Sequence, residues 1–188
     1  MKSVLITGGA GFFGNAFVDR LLACGVKRIC VYSRDEAKHA AMRSRIGENS
    51  RMRYFIGDVR DRERLARAMQ GCDTVVHAAA LKRIEVGFYD TAEMVKTNIN
   101  GSINVAECAN DAGINNVVLL STDKAYMPIS PYGYSKAIAE RIFLSAGFKV
   151  TRYGNVAGST GSIIPLAIAA KKAGRKIAVT DRECTRFY

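Results

Sequence analysis

Tyr132 and Lys136 stand four residues apart in P-Y-G-Y-S-K, and Thr122, Asp123 and Lys124 precede them in S-T-D-K-A. On a helix, residues four apart share a face, so this spacing sets an ammonium beside a phenol. A phenol with a pKa of about 10 becomes a usable base only when cations depress that value. The pair therefore suits removal of a hydroxyl proton, with the lysine also in reach of a cofactor ribose. None of the other seven tyrosines has a lysine at that distance; Tyr134 meets Ile138 and Tyr126 meets Ser130. Asp123 and Lys124 put a carboxylate and an ammonium in adjacent residues. From composition alone, a loop ion pair without chemistry is the simpler reading of those two.

A second group of residues points to a ligand. T-G-G-A-G-F-F-G follows a strand pattern and opens an amphipathic helix pattern, with Gly8, Gly11 and Gly14 in G-x-x-G-x-x-G spacing. Such a turn lets backbone approach a pyrophosphate and aims the free N–H groups of a helix N-terminus at its charge. A lone glycine motif is weak, and a glycine turn without a ligand is the alternative. The strand–turn–helix context favours a dinucleotide, bound by Thr7, Gly8, Gly11, Phe12, Phe13 and Gly14. At the end of the second strand, V-Y-S-R-D-E-A-K-H places Ser33 and Arg34, with Lys38 nearby, where a 2′-phosphate would lie. That favours NADP over NAD, against a reading of Arg34 as a solvated surface charge. In G-D-V-R-D, Asp58 is expected to accept from an adenine amino group, Val59 to lie against the ring, and Asp61 to cap a helix. In H-A-A-A-L-K, the small residues Ala78, Ala79 and Ala80 let the backbone pass close to the cofactor. His77 is expected to be a packed strand residue.

These groups need a scaffold that brings strand ends together. Strand patterns cover Ser3–Thr7, Arg28–Tyr32, Met52–Ile56, Thr74–His77, Asn116–Leu120, Lys149–Arg152 and Lys176–Val179. Helix patterns cover Gly11–Cys24, Asp35–Ile46, Arg62–Met69, Ala92–Ala112, Tyr132–Ala146 and Pro165–Ala173. Pro128 and Pro131 mark a loop, and Pro165 suits the first turn of a helix. The alternation predicts an α/β, Rossmann-like doubly wound parallel sheet of about seven strands with helices on both faces. The 188 residues suffice for one such domain and are marginal for two. No apolar run is long enough to span a bilayer and no signal-like segment opens the chain, so a cytoplasmic protein is expected. The five cysteines are scattered and lack a C-x-x-C pair. Reduced core thiols are therefore expected, with neither disulfides nor a metal site. The net charge of +11 is dispersed among acids and comes without a nucleic-acid motif; a solvated surface rich in lysine is the simplest reading, and among ligands the positive field suits anionic small molecules better than nucleic acid.

Taken together, L-I-T-G-G-A-G-F-F-G, Y-S-R-D-E, G-D-V-R-D, H-A-A-A-L-K, V-K-T-N-I-N-G-S, S-T-D-K-A, Y-G-Y-S-K, R-Y-G-N-V-A-G-S-T-G-S and T-D-R-E-C-T-R-F resemble the extended short-chain dehydrogenase/reductase family. More narrowly, they resemble its inverting UDP-N-acetylglucosamine 4,6-dehydratases. The resemblance implies that Tyr132 removes the sugar 4-hydroxyl proton as hydride passes from carbon 4 to NADP, with Thr122 hydrogen-bonding that oxygen. Lys124 would remove the proton on carbon 5 and Asp123 would protonate the departing 6-hydroxyl. Hydride return to carbon 6 and reprotonation on the opposite face would invert carbon 5. Lys82 and Asn98 would line the site, Lys82 beside both cofactor and sugar. Asn155 and the run Gly154–Ser162 would approach the diphosphate of a UDP-sugar, and Thr185 and Arg186 would bind the nucleotide. For Asn98 the alternative is a buried helix residue satisfied by neighbouring backbone.

Members of that family continue well beyond T-R-F, so residues 154–188 read as the start of a substrate lobe of which most is absent. A minimal enzyme, one half of a split enzyme with a partner chain, and an NADP-binding module without turnover all remain open. A UDP-sugar 4-epimerase is the rival with the same fold. The shortened lobe should expose Ile163, Ile164, Leu166, Ile168, Ile177 and Val179, which implies a homo-oligomer.

Overall fold

The computed structural model describes residues 1–159, 161–177, 181, 183 and 185. Six parallel strands form its sheet: β1 (Ser3–Thr7), β2 (Arg28–Ser33), β3 (Met52–Ile56), β4 (Thr74–His77), β5 (Asn116–Thr122) and β6 (Lys149–Tyr153), in the order β3-β2-β1-β4-β5-β6. Val, Ile and Leu are concentrated in the central strands β1, β2, β4 and β5, which helices cover on both sides, while the edge strands β3 and β6 carry fewer of them and are more exposed. Successive side chains point to opposite faces, so Val4 and Ile6 join one apolar layer and Leu5 the other. The first layer packs Val18 and Leu21 of α1 (Phe12–Ala23) and Met42 of α2 (Glu36–Ile46) against β1 and β2. The second packs Leu65 of α3 (Arg62–Met69), Val105 and Phe143 against β1, β4 and β5.

The strand order reverses between β1 and β4, and ligands of open α/β sheets bind outside the carboxyl ends of the strands at such a point. Thr7 ends β1, Ser33 ends β2, His77 ends β4, Thr122 ends β5 and Tyr153 ends β6. Register pairs Thr7 with His77 and Thr122 with Tyr153. The residues singled out by their chemistry are thus gathered along one edge of the sheet.

The seventh expected strand, Lys176–Val179, falls partly outside the described residues, and Lys176 and Ile177 are not in a strand. The helix expected over residues 92–112 is not continuous. It begins as α5 (Thr91–Met94), widens into a π-helical stretch over Val95–Asn100 and continues as α6 (Gly101–Asp111). A side chain at Gly101 would meet Val59 at 2.6 Å, so the glycine lets α6 lie close to the β3–α3 loop. A short α4 (Ile84–Tyr89), not foreseen, precedes this stretch. Asp61 caps α3 as expected, its Oδ1 accepting from the Arg64 amide at 2.9 Å. Pro131 is the first residue of α7 (Pro131–Ser145) rather than a loop residue, and Ser130 caps that helix. The last helix, α8 (Ile163–Lys172), leaves Ile163, Ile164, Leu166 and Ile168 exposed, as is Ile177 beyond it, while Val179 lies outside the described residues.

Of the expected core thiols, Cys30 and Cys108 are buried and Cys72 is half-buried. Cys24 is exposed, because it sits past the last turn of α1, and Cys184 lies outside the described residues. No helix among the described residues is long and apolar enough to cross a membrane.

Candidate active site

The chain leaves β1 through Gly8, whose φ of +67° is a conformation that side chains disfavour. A Cβ there would also lie 2.8 Å from the Ala79 backbone nitrogen, so the glycine turn packs directly on the H-A-A-A turn after β4. At Gly14 a Cβ would come within 2.0 Å of the Gly9 carbonyl oxygen. Gly11 is the N-cap of α1, and no side chain caps that helix, which leaves its first-turn N–H groups for an anion. The cradle fits the pyrophosphate of a dinucleotide. Phe12 is exposed, with Gly158 of the glycine-serine run alongside its ring. Phe13 stacks on Phe17 at 5.2 Å and packs on the core, so it serves the turn through its backbone.

At the end of β2, the Ser33 hydroxyl lies 2.6 Å from His39 Nε2. Arg34 is half exposed and reaches Asp58 at 3.4 Å. Lys38 does not join it, because its ammonium pairs with Asp35, the cap of its own helix, at 2.9 Å. The Asp58 carboxylate, expected to receive an adenine amino group, already accepts from Arg60. Oδ1 takes the Arg60 amide at 3.0 Å and Oδ2 its guanidinium at 2.7 Å. Burial works to raise the Asp58 carboxyl, but these bonds outweigh it and hold the group below the usual range. Val59 is buried against Gly101, and Ala78, Ala79 and Ala80 are half-buried.

Beyond β5, Thr122 Oγ1 donates to Asp123 Oδ1 at 2.8 Å and accepts from the Lys124 amide at 3.3 Å, opening a 3-10 turn over Asp123–Ala125. Lys124 Nζ donates to Asp123 Oδ1 at 3.0 Å and to Asn155 Oδ1 at 3.4 Å. Burial works to raise the Asp123 carboxyl, while hydrogen bonds from Lys124 and Thr122 together hold it below the usual range. The glycine between Tyr132 and Tyr134 has a steric purpose: a Cβ on Gly133 would lie 2.4 Å from the Lys124 carbonyl oxygen. α7 can therefore press against the Asp123–Lys124 turn. Tyr134 and Tyr126 face solvent, whereas Tyr132 is half-buried.

Burial, and then the neighbouring Tyr153, push the Tyr132 phenol up to about 12, with the Thr122 hydroxyl pulling it back. Spacing predicts the opposite direction. The difference lies in depth. Lys136 is only 4% exposed, and burial draws its ammonium down to about 8, with Glu140 opposing. Burial of the phenol itself, joined by Tyr153 and Asp123, outweighs the pull of Thr122.

Asn98 lies in the π-helical stretch. Its Oδ1 accepts from the Leu81 amide at 2.8 Å, and its Nδ2 donates to the Leu81 carbonyl at 2.9 Å and to Ser135 Oγ at 3.0 Å. It is thus a buried residue satisfied chiefly by backbone, and it fastens the segment before Lys82 to α7. His77 Nδ1 lies 2.6 Å from Thr7 Oγ1 and Nε2 lies 3.1 Å from Ser102 Oγ. Ser102 gives its proton to the Asn98 carbonyl, so the ring carries hydrogen on Nε2 and accepts from Thr7 at Nδ1. Burial lowers this imidazole to about 3, and it stacks on Phe143 at 5.6 Å, a packed residue as expected. Lys82 and Thr185 are exposed, and Arg186 lies outside the described residues. Sequence reasoning passed over Glu140, Arg152, Tyr153, Arg60 and His39. Only Glu140 carried a readable signal, at Lys136 plus one helical turn.

A family model described as "Polysaccharide biosynthesis protein" matches residues 4–188. The chain is 43% identical over 198 aligned residues to UDP-N-acetylglucosamine 4,6-dehydratase (inverting) of Campylobacter jejuni, covering 100% of itself and 59% of that protein. It is 40% identical to UDP-glucose 4-epimerase of Rickettsia prowazekii, covering 99% of itself and 58% of that protein. Among solved structures, Pen from Bacillus thuringiensis superposes with a TM-score of 0.95 at 37% identity, over 99% of this chain and 60% of that one. DesIV, a dTDP-glucose 4,6-dehydratase from Streptomyces venezuelae solved with NAD bound, gives a TM-score of 0.82 at 29% identity, over 92% of this chain and 62% of that one. The chain thus spans about 59% of the length of the dehydratase it matches.

Proposed function

Because the chain belongs to the polysaccharide biosynthesis protein family, we propose that it carries the cofactor-binding and catalytic part of an NADP-dependent UDP-N-acetylhexosamine 4,6-dehydratase that inverts carbon 5. The observation that carries this reading is the Asp123–Lys124 pair, bonded at 3.0 Å at the end of β5 and pressed against α7 beside Tyr132. An oxidoreductase acting on carbon 4 alone has no need of that pair. The glycine cradle and the uncapped N-terminus of α1 support a nicotinamide dinucleotide, and Arg34 at the end of β2 supports the 2′-phosphate form.

A bound dinucleotide, held by the glycine turn and the N-terminus of α1, would supply a hydride acceptor for carbon 4 and a hydride donor for carbon 6. Tyr132, once its own proton has passed to solvent, takes the 4-hydroxyl proton while Thr122 holds that oxygen. Lys136, ionising at about 8, stays charged at neutral pH on the same face of α7. The 4-keto group then acidifies the proton on carbon 5. Elimination needs Lys124 as a neutral amine and Asp123 as a carboxylic acid, whereas the folded chain holds the reverse, an ion pair. One proton moving from Lys124 to Asp123 along their hydrogen bond creates the reactive form. Lys124 then takes the carbon 5 proton and Asp123 gives its own to the departing 6-hydroxyl. As water leaves, the pair is again ammonium and carboxylate. Asn155, which also accepts from Lys124, holds the amine in place.

The test is incubation of the protein with UDP-N-acetylglucosamine, with products followed by NMR and mass spectrometry. A 4-keto, 6-methyl product supports the reading. Lys124→Ala should abolish elimination while cofactor titration is unchanged, and retained dehydratase activity would remove the base assignment. The likeness to Rickettsia 4-epimerases favours a second reading, in which the sugar keeps its mass and changes configuration at carbon 4. Cofactor binding with no turnover would leave an NADP-binding module.

A further inference from the structure

Tyr132, Lys136 and Glu140 follow one another at four-residue spacing on α7, so they share a helix face. Glu140 is 5% exposed, and three donors converge on it. Ser121 Oγ donates to Oε1 at 2.5 Å, Arg152 Nε to Oε1 at 2.8 Å and Arg152 Nη2 to Oε2 at 2.5 Å. Ser121 precedes Thr122 on β5. Arg152 precedes Tyr153 on β6, and Thr122 and Tyr153 are partners in register. One carboxylate therefore joins the helix bearing Tyr132 and Lys136 to the strand end bearing Thr122, Asp123 and Lys124. It joins both to the strand that leads to Asn155.

A buried charge cluster is costly to desolvate, and apolar residues of similar volume often serve stability as well. Its charge must be weighed against what lies near. Among the described residues no carboxylate forms an ion pair with the buried Lys136 ammonium. Glu140 is the acid whose field reaches it. His77 faces Lys136 from β4 and is neutral, and Tyr132 is un-ionised. Asp123, at the end of β5, acts on Tyr132. Arg152, from β6, binds Glu140 and so competes with Lys136 for its charge.

We propose that Glu140 is a positioning residue of the redox site, keeping Lys136 charged and fixing the ends of β5 and β6 against α7, with Arg152 dividing its charge. This deepens the dehydratase reading and rests on it only for the link to turnover.

The experiment is an NMR pH titration of the whole chain labelled with ¹³C at lysine Cε, the Lys136 signal being the one lost in Lys136→Met. Glu140→Gln keeps the shape and removes the charge, so Lys136 should lose its proton at a pH lower by about one unit or more. Arg152→Met removes the competing cation, while Ser121 and Lys136 still favour an ionised Glu140, so the midpoint should rise. A midpoint unmoved by Glu140→Gln, or moved the same way by both variants, overturns the proposal. If Glu140→Gln does not fold, Arg152→Met alone decides by the sign of its shift. In turnover, the alkaline limb of the rate should move to lower pH in Glu140→Gln, an effect that a merely structural residue would not produce. The titration needs no turnover. Absence of product would therefore count against the dehydratase reading and leave this result standing.

Discussion

Lys136→Met separates stability from function at one position. The substitution removes a buried ammonium and keeps an unbranched side chain of similar length. An ammonium that ionises at about 8 rather than 10.5 penalises the folded state by about 3 kcal/mol at neutral pH, at about 1.4 kcal/mol per pH unit. Glu140 is not orphaned by the change, because its bonds to Arg152 and Ser121 remain. The pH dependence has a definite sign. Below about 8, folded and unfolded chains both hold the proton and the penalty is complete. Between about 8 and 10.5 only the unfolded chain holds it, so wild-type stability rises with pH through that window. Urea denaturation at pH 7 should therefore show the variant more stable by about 2–3 kcal/mol, with the denaturant slope unchanged. Its advantage should shrink towards pH 10.5, and turnover should be lost. A variant less stable than wild type at pH 7, or a difference independent of pH, would refute the reasoning.

Other positions give sharper local tests. Arg34→Ala should weaken NADP binding by about tenfold and leave NAD binding unchanged in fluorescence titrations, and equal loss for both would remove its assignment to the 2′-phosphate. Gly14→Ala sets a Cβ 2.0 Å from the Gly9 carbonyl and should abolish dinucleotide binding, so a wild-type dissociation constant would contradict the cradle. Asp61→Ala removes the cap bond to Arg64 and should cost about 1 kcal/mol, lowering the melting temperature by about 2–4 °C in calorimetry. The exposed isoleucines and leucine of α8 imply self-association, which a monomer at micromolar concentration in sedimentation would disprove.

Much of the architecture is legible in the sequence because the strands carry short apolar runs between helical patterns, Val- and Ile-rich where helices cover both faces. β1, β3 and β4 have the bounds that their apolar runs predict, and the glycine turn lies where its spacing puts it. The π-helical break was not legible. Residues 92–112 keep a helical apolar period, and the widening accompanies contacts from distant segments, Asn98 to Leu81 and Gly101 to Val59. Glu140 escaped notice for a related reason. A lone acid on an amphipathic helix reads as a solvated charge, and its burial depends on Ser121 and Arg152 arriving from two strands. Spacing put Lys136 on the face of Tyr132 but carried no measure of depth, and depth raises the phenol instead of lowering it. Asp123 and Lys124 were readable as adjacent opposite charges, which composition alone reads as a loop ion pair, while the bond to Asn155 that steadies Lys124 required the fold.

The central claim is that Asp123 and Lys124 eliminate water between carbons 5 and 6 of a UDP-N-acetylhexosamine. The most direct measurement is mass and NMR analysis of UDP-N-acetylglucosamine incubated with the chain in deuterated water. The account predicts a product that has lost water, bears a keto group at carbon 4 and a methyl at carbon 6, and carries solvent deuterium at carbon 5. A product that retains its water, altered only in configuration at carbon 4, would contradict it.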